Sequence, residues 1–122
     1  MLAAPAGAAP VAAAPLEASI LAVEPAEIDA IAARLVGQRF TIAADRRAIT
    51  IDDIAGEGRP WVGIVERRGD ALLLVTAAGD LTLRGPLARP RIAGPGYAVW
   101  VIGERSEEGL TVRRIGVLRR PR

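Results

Sequence analysis

The chain of 122 residues contains no cysteine, no histidine, no lysine and no asparagine. Zinc fingers, disulfide frameworks, c-type haem attachment, Cys and His nucleophile systems and Schiff-base lysines are excluded together, because each needs a side chain that is missing. The lack of cysteine leaves the redox compartment open. Charge and protons are left to Arg, Asp, Glu and Tyr97, and hydroxyl chemistry to Ser19, Ser106 and five threonines. No cofactor and no metal are expected from this stock.

Large apolar side chains are scarce as well. Hydrophobic residues make up 51% of the chain, but 24 of them are alanines, nine of which lie in the first 20 positions. The aromatics are Phe40, Trp61, Tyr97 and Trp100. No run approaches the roughly 18–20 apolar residues of a membrane-spanning helix. The opening stretch has no basic region and is broken by Pro5, Pro10 and Pro15, which argues against an export signal. The expectation is a cytoplasmic protein that meets no membrane and takes no small-molecule substrate.

What is present divides the chain into three parts. Residues 1–19 read as a disordered Ala/Pro-rich tail, since small residues interrupted by prolines bury too little surface to offset the entropy of ordering. Residues 20–118 are expected to form a single domain, and residues 119–122 a basic C-terminal tail. One helix is expected over residues 24–36. Pro25 suits its first turn, Glu27 and Asp29 its positive end, Arg34 its negative end and Gly37 its C-cap. Ile28, Ile31 and Leu35 form its single apolar stripe.

From Arg39 the period changes to two. Candidate strands cover residues 39–43, 48–51, 61–67, 71–76, 80–84, 97–103 and 110–118, with turns at 68–70, 78–80 and 106–109. Thr50 and Asp53 also fit the start of a helical turn, an alternative to a longer second strand. None of the gaps after Gly56 holds a crossover helix, so a parallel α/β sheet is not expected. The fold class is therefore mainly β: a small antiparallel β-barrel of five to seven strands with one flanking N-terminal α-helix, closed because closure removes exposed edges. Residues 84–96 hold three prolines and three glycines in 13 positions and read as a long surface loop.

Charge is unevenly spread. Residues 1–58 carry four Arg and eight acids, a net of −4, and residues 59–122 carry 12 Arg and six acids, a net of +6. A basic second half favours a polyanion or an acidic protein surface as neighbour, or is simply a solvated face. The residues expected at such a contact are Arg67, Arg68, Arg84, Arg89, Arg91, Trp100, Arg113, Arg114, Arg119 and Arg120. In the strand around Trp100, Tyr97, Val99 and Val101 share one face and Ala98, Trp100 and Ile102 the other, and both are apolar. Either the strand lies between the barrel interior and a second layer, or Trp100 points outward as a stacking platform.

Catalysis finds little support. Asp52, Asp53 and Glu57 are the one dense acidic group. In a strand adjacent aspartates point apart, whereas in a helical turn Asp53 and Glu57 share a face; helix-start and loop roles are expected for them. Ser106 has Glu107 and Glu108 beside it but no histidine or lysine to activate it. No phosphate-loop, dinucleotide or calcium-loop pattern occurs. The expected function is a non-catalytic binding or assembly module, contributing its barrel to a homo-oligomer or a larger protein complex because the apolar sheet surface exceeds what one helix covers. The alternative is a nucleic-acid-binding barrel that uses the basic C-terminal half for sequence-independent phosphate contacts.

Overall fold

A computed structural model describes residues 13–121. A 3-10 turn at Leu16–Ser19 leads into β1 (Ile20–Ala22), and a second 3-10 turn at Pro25–Glu27 runs into α1 (Ile28–Ala33). The strands β2 (Arg39–Ile42), β3 (Ala48–Asp53), β4 (Trp61–Arg68), β5 (Ala71–Thr76), β6 (Gly79–Arg84), β7 (Ala98–Ser106) and β8 (Gly109–Arg119) follow. They form a three-stranded sheet in the order β1-β3-β2 and a closed barrel in the order β4-β5-β6-β8-β7.

In the barrel, β4, β5 and β6 form a meander and β7 returns beside β4, the Greek-key arrangement. β8 then closes the ring between β7 and β6. Strands β6 and β8 run parallel, with Leu83 opposite Leu110, while the other four pairs are antiparallel. An all-antiparallel barrel was the expectation. A closed ring of five strands cannot alternate direction all the way round, so one parallel pair is forced. The remaining three strands lie outside the barrel, in the small sheet.

Alternation along the strands builds two cores. Val65, Leu72, Leu74, Leu81, Leu83, Val99, Val101, Leu110 and Val112 fill the barrel. On the other face of β4, β7 and β8, Val62, Ala98, Ile102 and Leu118 pack beneath Leu21, Ile28, Ile31, Leu35, Ile49 and Ile51 of the small sheet and helix. Each fully buried Leu, Ile or Val contributes roughly 1.5–3 kcal/mol by leaving water. β7 is thus apolar on both faces because both are covered. Trp100 is partly buried against the second core, its ring lying where a side chain on Gly116 of β8 would stand.

Both barrel ends are plugged. Ala14, Ala18 and Ser19 are fully buried, the two alanines inside the barrel core. Ser19 Oγ donates to Pro60 O at 2.7 Å, and Ala14 N donates to Arg59 O at 3.0 Å. The folded unit therefore includes Ala14, Ala18 and Ser19, inside the stretch expected to be tail; residues 1–12 of that stretch lie outside the described residues. At the opposite end the loop between β6 and β7 turns Ala93 inward, with Leu87, Ala88 and Tyr97 against the same core. Gly96 N donates to Val65 O at 2.7 Å and Val65 N to Tyr97 O at 2.8 Å, fixing the loop to β4.

Local signals explain most boundaries. Glu24 and Glu27 form a capping box around Pro25, but α1 ends at Ala33, short of the expected helix, and Val36 is left 80% exposed. Gly37 follows with φ +84°, where a side chain would be strained. Thr50 lies within β3, which continues through Asp53, so the helical-turn alternative does not form. Among the described residues no helix is long and apolar enough to cross a membrane.

Candidate functional site

The acidic group at the end of β3 is structural in its contacts. Asp52 accepts from Thr41 Oγ1 at 2.7 Å. Asp53 clasps the following loop, accepting from Gly56 N and Gly58 N at 2.7 Å each. Glu57 reaches β8, where Arg113 Nη2 lies 3.0 Å from Oε1 and Arg114 Nε 3.0 Å from Oε2. Among the described residues no group of three or more acids is placed to hold a metal ion.

These contacts sort the arginines expected at a partner surface. Arg113 and Arg114 are engaged by Glu57, and Arg119 by Glu27 at 3.2 Å in a pair whose side chains are only about one-fifth exposed. Arg68 faces Asp80 at 3.3 Å and Arg84 faces Glu108 at 3.6 Å. Part of the charge asymmetry along the chain is therefore closed within the molecule, Glu27 and Glu57 of the acidic first half on three arginines of β8. Arg89, Arg91 and Arg120 are exposed and have no side-chain partner among the described residues. Arg67 uses its Nε to donate to Gly69 O at 3.1 Å. Trp100 belongs with the second core rather than with these arginines.

A second feature was not signalled by the sequence. A groove of about 500 Å³ runs between β1 and the barrel, lined by residues 20–24 on one side and Val62, Ile64, Val75 and Ala77 on the other, with Arg119 at its edge. β1 is an outer strand of its sheet. Val23 N donates to Arg47 O at 3.0 Å, and Ala43 N donates to Ala48 O at 2.9 Å. With Leu21 opposite Ile49 and Ala22 opposite Ala48, the alternation of an antiparallel ladder makes Leu21 and Val23 the residues bonded to β3. The N–H and C=O of Ala22 then point to the open edge. Ile64 and Val75, cross-strand neighbours on β4 and β5, are half-buried beside it.

Three residues of pattern are too few to be read as a strand, and an edge facing an apolar floor is a property of packing. The only hint in the sequence was Ile20-Leu21-Ala22-Val23, an apolar run directly after the expected tail. Compared with known protein families, with curated proteins and with solved structures, the chain matches none.

Proposed function

We propose that the chain is a non-catalytic binding module that joins a larger protein complex by taking an extended segment of another protein along β1. The observation that carries this reading is the open edge at Ala22 beside the half-buried Ile64 and Val75. An added strand gains main-chain hydrogen bonds from the edge, and its alternate side chains rest on the apolar floor. Glu17 and Glu24, both exposed, flank β1 and favour basic residues on the outward positions of that segment. The same acids disfavour a second copy of β1, since antiparallel self-pairing sets Glu24 of each copy towards the Glu17 turn of the other.

The assembly reading narrows accordingly. Of the two apolar runs that argued for self-association, residues 97–102 have their outer face covered by the small sheet and α1 of the same chain, and in residues 71–75 Leu72, Leu73 and Leu74 are buried. A hetero-complex is the form of the reading that the geometry favours. Selection of linear peptides from a random displayed library tests it, with counter-selection against Ala22→Pro. Proline on an outer strand with its nitrogen facing solvent leaves the ladder intact and removes the donor. The expected peptides alternate apolar and basic residues and bind the variant at least about tenfold more weakly. Peptides that bind Ala22→Pro equally well, or no enrichment at all, contradict the reading.

A further inference from the structure

The described arginines separate into those that face carboxylates and those that do not, and four of the second kind lie towards one place. Strands β4, β6 and β8 run in one direction and β5 and β7 in the other. The end of β4, the end of β8 and the later part of the β6–β7 loop therefore share one end of the barrel, whereas the loop leaves β6 beside the start of β8. Arg67 lies near the end of β4, Arg89 and Arg91 on the loop, and Arg120 just past β8. Gly96 of the loop packs close to Pro121, which holds the C-terminal residues beside the loop. Residues 85–103 and 109–122 contain no acid, and Asp70 in the β4–β5 turn is the acid nearest in sequence to Arg67 beyond Glu66.

From this juxtaposition we infer that the arginine-crowned barrel end binds the phosphate backbone of nucleic acid without reading its bases. Guanidinium groups match phosphate oxygens in geometry and charge. They are presented on a loop anchored by the buried Ala93 and by its two backbone bonds to Val65, so little ordering accompanies binding. Base stacking has no platform there: Trp61 is 5% exposed inside the barrel core, and Tyr97 is half-buried against that core. An anionic membrane is the less favoured polyanion. Ile92, 39% exposed, is the one large apolar side chain offered by the loop, too little for interfacial insertion.

Fluorescence anisotropy of unrelated DNA and RNA duplexes over a salt series tests the inference. Four phosphate contacts give a slope of log K against log salt of about −3 to −4. Arg89→Glu with Arg91→Glu lowers it to about −2 and weakens binding alike for every sequence. Arg39→Glu with Arg47→Glu, exposed residues of β2 and of the β2–β3 turn without a side-chain ion pair, makes the same change in net charge and leaves the slope intact. Equal losses in the two double variants reduce the effect to overall charge and overturn the site. So does the absence of binding at about 50 mM salt, and equally tight binding of phosphatidylserine vesicles assigns the surface to lipid instead. Loss of peptide binding in Ala22→Pro with these slopes unchanged separates this surface from the β1 groove.

Discussion

Gly116 shows how a single residue fixes the relation between the two cores. Opposite it on β7, Trp100 lays its ring across the position that a β-carbon would occupy. Gly116→Ala therefore has no room without moving the indole, and overpacking of this kind costs about 1–3 kcal/mol. Urea unfolding is expected to show that loss, and an unchanged midpoint contradicts the packing described for Trp100. The acids were partly legible. Asp53 four residues before Glu57, among glycines, already read as loop material, and Asp53 does clasp that loop. That Glu57 holds Arg113 and Arg114 depends on bringing together residues far apart in the chain, which no local spacing encodes.

Elements with a clear period of two and turn residues at both ends were read well. β5 spans Ala71–Thr76 as expected, and the two faces of β7 separate into the two cores with the parity read from Val99, Trp100 and Val101. The 3-10 turn Leu16–Ser19 and β1 were not read, because alanine and serine carry no hydropathy signal and three residues make no period. The turn places Ala18, with Ala14 just before it, fully buried in the barrel core, while β1 extends the small sheet. Deleting residues 1–19, which composition alone marks as dispensable, removes Ala14, Ala18 and the Ser19 hydrogen bond to Pro60. The thermal midpoint is expected to fall by well over 5 °C, since about 1 kcal/mol corresponds to 4–8 °C in a domain this small. A deletion variant that melts with the full chain contradicts the plug.

For the whole molecule, the spacing of strands and turns was enough to predict a barrel but not its layering. Five strands close the ring, an odd number that forces the parallel pair of β6 and β8, and the other three strands shield the outer face of β4 and β7. Five-stranded Greek-key barrels carry many functions, so the architecture does not select among them. The functional reading rests on the open edge of β1. Amide hydrogen exchange followed by NMR at three consecutive residues reads that edge directly. In the free protein Leu21 and Val23, bonded to β3, are expected to exchange at least about a hundredfold more slowly than Ala22 between them. Saturation with a selected peptide then slows Ala22 to the rate of its neighbours. An Ala22 amide as protected as Leu21 and Val23 in the free chain, or one still fast with peptide bound, contradicts the account.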